Sequence, residues 1–197
     1  MKNPKAGKTT KGMRSKQKIF EAAVRLIQER GYEKTTIADI CAASEITTGA
    51  FYHYFMSKQD ILRGVVGKEA EALETYYRSL DKPPYTDAIL AVSVFLAQFA
   101  MAKGLEFVSR FISIALIHRS EYFDPIETTT TWVLNECFRN GQETGEFRLD
   151  FTPAFMTELV NGQILAGITA WCARDAKFDL ADYLKQRVNT LLVLLGK

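Results

Sequence analysis

The sequence predicts an all-α protein: a small N-terminal helix-turn-helix head followed by a larger helical body. Three observations carry this. Apolar residues recur at helical spacing in one segment after another, and no run alternates convincingly enough to argue for strands. The stretch from Thr35 to Leu62 reads as two short helices joined by a tight turn, with an aromatic cluster and a capped third helix behind it. Charge is also divided. Residues 1–68 hold thirteen Lys+Arg and six Asp+Glu, a net of +7, whereas the remainder holds twelve and seventeen, a net of −5. A basic head on an acidic body concentrates attraction for phosphates at one end.

Taken in order, residues 1–12 lack apolar periodicity and space Lys2, Lys5, Lys8 and Lys11 between Pro4, Gly7 and Gly12. They read as a disordered basic arm, either reaching into a minor groove or adding weak non-specific affinity. They contain no apolar stretch of the kind a secretory signal needs. A first helix runs from about Met13 to Arg30, with Phe20, Ala23, Val24 and Ile27 on one face and Gly31 as its stop. Thr36 and Asp39 form the spacing that closes a helix start, and Ile37, Ile40 and Cys41 follow on one face. Ser44-Glu45-Ile46 is the turn. Thr47 caps the next short helix, in which Phe51 and Phe55 face inward four residues apart. Ser57 and Asp60 repeat the capping spacing, so a fourth helix begins at about Lys58 and reaches about Leu80.

The short helix after Thr47 is unusual in what it exposes. Thr47, Thr48, Gly49 and Ala50 form a small-residue first turn, which lets backbone approach base edges; threonine offers a base both a hydroxyl and a methyl. Tyr52 and Lys58 flank that turn and suit phosphates.

Beyond the break at Lys82-Pro83-Pro84, helices are expected at about 85–102, 106–119, 125–144, 153–174 and 179–195. No span is expected to be long and apolar enough to cross a bilayer. The organisation is therefore an arm over 1–12, a head over 13–57, a connecting helix over 58–80 and a body over 81–197.

The segment from about Arg14 to Leu62 resembles the DNA-binding domain of the TetR family of transcriptional regulators. The resemblance rests on Ile19 to Ala23, on Gly31-Tyr32-Glu33-Lys34-Thr35-Thr36, and on Ile37-Ala38-Asp39-Ile40. It continues through Ile46-Thr47-Thr48-Gly49, Phe51-Tyr52-His53-Tyr54-Phe55, Ser57-Lys58 and Ile61-Leu62. It covers about a quarter of the chain. It implies that Thr36, Tyr52 and Lys58 contact phosphates and that Thr47, Thr48, Gly49, Ala50 and His53 lie nearest the base edges. For His53, a surface or packing role is the alternative.

The last two helices suggest a homodimer. Gly162, Ala166 and Ala170 recur every four positions, and Leu184, Val188 and Leu191 form a stripe that Leu192 and Leu194 widen. Two such helices from each of two copies make a four-helix interface, as the resemblance implies; finishing a monomer core is the alternative. Paired heads suit a pseudo-palindromic double-stranded operator. The middle of the chain is rich in aromatics, and Phe95, Phe99, Phe111, His118, Trp132 and Trp171 are the candidate lining of a pocket for a small, largely hydrophobic effector. Plain core packing is the competing reading for each of them.

Catalysis finds little support. The chain has two histidines and no H-E-x-x-H, G-x-S-x-G, phosphate-binding loop or dinucleotide fingerprint. Cys41, Cys137 and Cys172 show no zinc spacing and no even disulfide set. They read as reduced thiols of a cytoplasmic protein, with Cys137 and Cys172 as a conceivable redox pair. No cofactor, metal or membrane partner is expected. The functional expectation is a homodimeric repressor released from its operator by ligand. The alternatives are a DNA-binding regulator controlled by a protein partner and a helical enzyme with a vestigial head.

Overall fold

The computed structural model describes residues 5–80, 84–117 and 129–197. Among the described residues the helices are α1 (Lys5–Arg30), α2 (Ile37–Ser44), α3 (Thr48–Tyr54), α4 (Gln59–Ser79), α5 (Tyr85–Lys103), α6 (Leu105–Ile117), α7 (Thr129–Glu143), α8 (Pro153–Ala173) and α9 (Leu180–Leu195). The sole β pairing among them is an isolated antiparallel bridge between Phe147 and Gly196. The chain forms two compact units, Met1–Val66 and Gly67–Lys197, so α4 belongs partly to each.

α1 starts earlier than the sequence suggests. Residues 1–4 of the expected arm lie outside the described residues, but from Lys5 the backbone is helical. Once a helix has nucleated, each added residue gains a hydrogen bond, and lysine and alanine are good helix formers. α1 ends where expected: Gly31 takes φ 88° and donates its N–H to the Ile27 carbonyl. The core of the first unit is built from Ile19, Phe20, Ala23, Leu26 and Ile27 of α1 with Ile40, Phe51, Phe55, Ile61, Leu62 and Val65. Gly64 of α4 makes room for Phe20, whose ring would lie 2.7 Å from any β-carbon there.

The second unit is centred on α5, which packs against α6, α7, α8 and α9. Ala88, Ile89, Val92, Ser93, Leu96, Ala97 and Ala100 are its buried positions. Neighbours on several sides require an apolar sequence, and α5 is in fact long and apolar enough to span a bilayer, with a mean hydropathy of 1.5. This corrects the expectation that no segment passes that test; the physical reason is its place in the core. Glu146, from the α7–α8 connection, accepts the Thr86 N–H at 3.2 Å and so satisfies a donor in the first turn of α5. α8 and α9 carry side-chain caps of their own, Thr152 on Phe155 N–H and Asp179 on Asp182 N–H.

Leu180, Leu184, Val188, Leu192 and Leu195 of α9 are all buried within this single chain. Leu184 and Val188, expected at a dimer interface, are therefore core residues here: the i, i+4 stripe that suggested association faces α5 and α8 instead.

Candidate functional site

The turn between α2 and α3 is shaped by backbone chemistry. Thr36 and Asp39 form a complete capping box at the start of α2. Thr36 Oγ1 accepts the Asp39 N–H at 3.1 Å, and Asp39 Oδ2 accepts the Thr36 N–H at 2.9 Å. Hydrogen bonds from the Thr36 side chain and backbone hold the Asp39 carboxyl below its usual range. α2 ends on Glu45, which adopts the left-handed conformation at φ 57°, and the Ile46 N–H returns to the Cys41 carbonyl at 3.0 Å. Thr47 then caps α3 by accepting the Ala50 N–H at 3.2 Å. The capping at α4 departs from expectation. Asp60 reaches back to the Met56 N–H at 2.7 Å, and the helix starts at Gln59.

α3 has two distinct faces. Phe51 is fully buried, and its ring packs 5.7 Å from that of Phe55. On the other side Thr47, Thr48, Gly49, Tyr52 and His53 are exposed, with Ala50 half-buried beside them. Tyr52 keeps 54% of its surface accessible although its ring meets Phe51 edge-on at 5.5 Å. A β-carbon at Gly49 would meet only Thr47 Oγ1, at 3.9 Å, so a partner can approach the backbone there. Thr36 is exposed too. The predicted base-reading and phosphate-contacting residues are thus brought to the open surface of α2 and α3, with Lys58 as the exception.

Lys58 is turned inward. Its ammonium donates to the carbonyls of Tyr32 at 2.5 Å and Thr35 at 2.8 Å, and lies 4.0 Å from the centroid of the Tyr32 ring. The loop after α1 presents two carbonyls that a cation can satisfy, and the Lys58 ammonium is directed to them rather than to the open surface of α3. Hydrogen bonds with a charged partner contribute roughly 1.5–3 kcal/mol each, and a cation over an aromatic face roughly 0.5–2 kcal/mol more. Nothing in the sequence spacing signals this clamp, because the partners are 23 and 26 residues away.

In the body, the candidate lining residues are distributed over α5 to α8. Phe95 stacks on Tyr76 at 5.0 Å, and Trp132 meets Tyr77 edge-on at 6.1 Å, so these two reach adjacent positions of α4. Trp132 nonetheless remains 43% exposed, with Arg78 over its ring. Phe99 carries the Lys103 ammonium 4.9 Å from its centroid. Trp171 is buried in α8 and Phe111 is half-buried in α6. His118 lies outside the described residues. An open groove of about 520 Å³ runs along α4 past Lys68, Glu71, Ala72, Thr75, Tyr76 and Ser79. None of the six candidates is in that lining; Phe95 is tied to it through Tyr76.

Two groups of the body have perturbed acidities: half-buried Glu69, which the sequence reading did not single out, and Cys137, which it named only as a conceivable redox thiol. Glu69 of α4 has its carboxyl pushed up to about 7 by burial, against a smaller opposing pull from Lys103. Cys137 is fully buried with Sγ 3.6 Å from the Tyr77 hydroxyl, and burial pushes its thiol up to about 11. Burial raises Cys172 as well. Both shifts suppress the thiolate, the reactive form, which counts against a redox pair.

The faces of α8 and α9 turned away from the core are apolar in part. Gly162 and Ala166 are exposed, with Leu165 next to them, and Ala170 and Leu191 are half-buried. Val193 and Leu194 of α9 keep 73% and 64% of their surfaces accessible.

Residues 19–65 match the description "Bacterial regulatory proteins, tetR family", and residues 124–194 match "YsiA-like protein, C-terminal region". Among curated relatives, the HTH-type transcriptional regulator TtgR of Pseudomonas putida is 25% identical over 92% of this chain and 91% of its own. The fatty acid metabolism regulator protein of Bacillus subtilis is 24% identical over 89% and 92%. Among solved structures, Thermus thermophilus FadR, a TetR-family transcriptional repressor in complex with lauroyl-CoA, superposes with a TM-score of 0.74. It is 21% identical over 90% of this chain and 93% of its own. The transcriptional regulator FadR of Bacillus subtilis in complex with stearoyl-CoA gives 0.67 at 23% identity, over 90% and 97%. The two family matches together span more than half of the sequence, at its head and in its body, and the chain belongs to the TetR family of bacterial transcriptional regulators.

Proposed function

We propose that this chain is a homodimeric, operator-binding repressor that leaves its DNA when a small, largely hydrophobic ligand occupies the body. The observation that carries the reading is the outward face of α3, where Thr47, Thr48, Gly49, Tyr52 and His53 stand exposed on a helix anchored from behind by Phe51. A short capped helix with a small-residue first turn can enter a major groove. Thr36 and Tyr52 flank it as phosphate contacts. Two heads on a pseudo-palindromic duplex require two copies. The open strip of Gly162, Leu165 and Ala166 on α8 with Leu191 and Leu194 on α9 is the proposed seam.

The aromatic content of α5 to α8 favours an apolar effector. Acyl-CoA molecules are the first to test, because two similar structures hold lauroyl-CoA and stearoyl-CoA. Ligand weakens DNA binding only by as much as it prefers the non-binding state. The protein acts where the chromosome is, in the cytoplasm. The test is enrichment of duplexes from a random library by the purified protein, with and without lauroyl-CoA. A recovered pseudo-palindrome that lauroyl-CoA or stearoyl-CoA displaces supports the reading; no enrichment of any duplex removes it.

A further inference from the structure

We propose that Lys58 is a positioning residue of the DNA-binding head, holding the α1–α2 loop and with it the start of α2, and that it does not neutralise a phosphate. The inference rests on the operator-binding reading above and gives one residue in it a different task. A lysine ammonium has three N–H donors and no acceptor. Here two carbonyls, of Tyr32 and Thr35, accept from it, and the Tyr32 ring face lies against the charge.

The loop it holds is already ordered on its other side. The Thr35 N–H donates to the Tyr32 carbonyl at 3.3 Å, and Thr35 Oγ1, fully buried, donates to the Gly31 carbonyl at 2.8 Å. Thr35 immediately precedes Thr36, the residue that caps α2. Lys58 immediately precedes Gln59, the first residue of α4. One side chain therefore joins the start of α4 to the start of α2, and α2 sets the placement of α3 through the turn at Glu45. A displacement of α4 that reaches Lys58 acts on the reading helix through this clamp.

The experiment compares wild type with Lys58→Met, which keeps an apolar stem against Tyr32. Both are titrated with a duplex enriched by the wild-type protein, from about 50 to about 200 mM salt. The expected result is an affinity loss of at least about tenfold, with the slope of log K against log salt unchanged. A slope shallower by about 0.9 for each phosphate released, near 2 for a dimer, would overturn the proposal. Because Lys58→Met could unfold the head, a second measurement uses wild type alone. In the DNA-free protein the Lys58 ammonium should give a protected, slowly exchanging ¹H–¹⁵N signal that persists when duplex is added. A solvent-fast ammonium, or a signal that shifts on the duplex as a new phosphate contact requires, overturns it. Should wild type bind no duplex, the operator reading fails, while the ammonium signal still decides the clamp.

Discussion

Gly167 of α8 lies directly against Leu184 of α9: a β-carbon at Gly167 would overlap Leu184 Cδ2 and come within 3.3 Å of its Cγ. Five residues earlier on the same helix, Gly162 has nothing within 4 Å of the equivalent point. One glycine is packed into the chain's own core and the other faces outward.

Gly167→Ala should therefore destabilise the fold by about 1–3 kcal/mol, the usual cost of forcing a methyl into a well-packed seam. Gly162→Ala should leave stability unchanged or slightly raised, because alanine is the better helix former. Urea denaturation of the two variants side by side checks this. Equal effects would show that the two glycines do not occupy different environments.

The same division separates core from proposed seam. Leu184→Ala should cost about 2–5 kcal/mol, as for a large side chain truncated in a fully buried site. Ala166→Glu should leave the folded chain intact but shift it from dimer to monomer, since it sets two like charges facing across an apolar strip. Light scattering and denaturation midpoints together distinguish the two. A monomeric wild type would remove the seam.

Glu69 gives a pH signature. Its carboxyl titrates near 7 in the folded chain against an ordinary 4.5, so between these values the folded state holds a proton that the unfolded state has released. Stability therefore falls as pH rises from 4.5 to 7. Glu69→Gln should abolish that decline and exceed wild type above pH 7 by on the order of 1–3 kcal/mol, after discount for partial solvent access. Parallel pH–stability curves for the two proteins would contradict the assignment.

Ala176, in the connection between α8 and α9, sits at φ 56° next to Asp175 at φ 54°. An L residue with a β-carbon is disfavoured there, and Ala176→Gly should stabilise the protein by about 1 kcal/mol. A loss of stability would mean that the methyl group makes a packing contact outweighing the strain.

Much of the head was legible in the sequence because its signals are local. Thr36 with Asp39, Thr47 with Ala50 and Gly31 after Arg30 each act within one turn, and each does in the structure what its spacing implies. What escaped was long-range. Lys58 stands where a phosphate contact would, and its carbonyl partners could not be read from their distance along the chain. The stripe of Leu184 and Val188 shows that α9 buries one face, but periodicity does not say whether that face meets its own chain or another copy. α5, against expectation, passes the length-and-hydropathy test for a bilayer span, because an all-round apolar helix reads the same in a protein core as in a bilayer.

The central claim is that the outward side chains of α3 read bases. The most direct measurement is the duplex preference of Thr48→Ala and Tyr52→Phe set against wild type, by selection from one random library. The account predicts that Thr48→Ala changes which bases are enriched at one position of each half-site. Tyr52→Phe should instead retain the wild-type sequence with uniformly weaker binding. Identical enriched sequences from wild type and Thr48→Ala, or a shifted sequence from Tyr52→Phe, would contradict it.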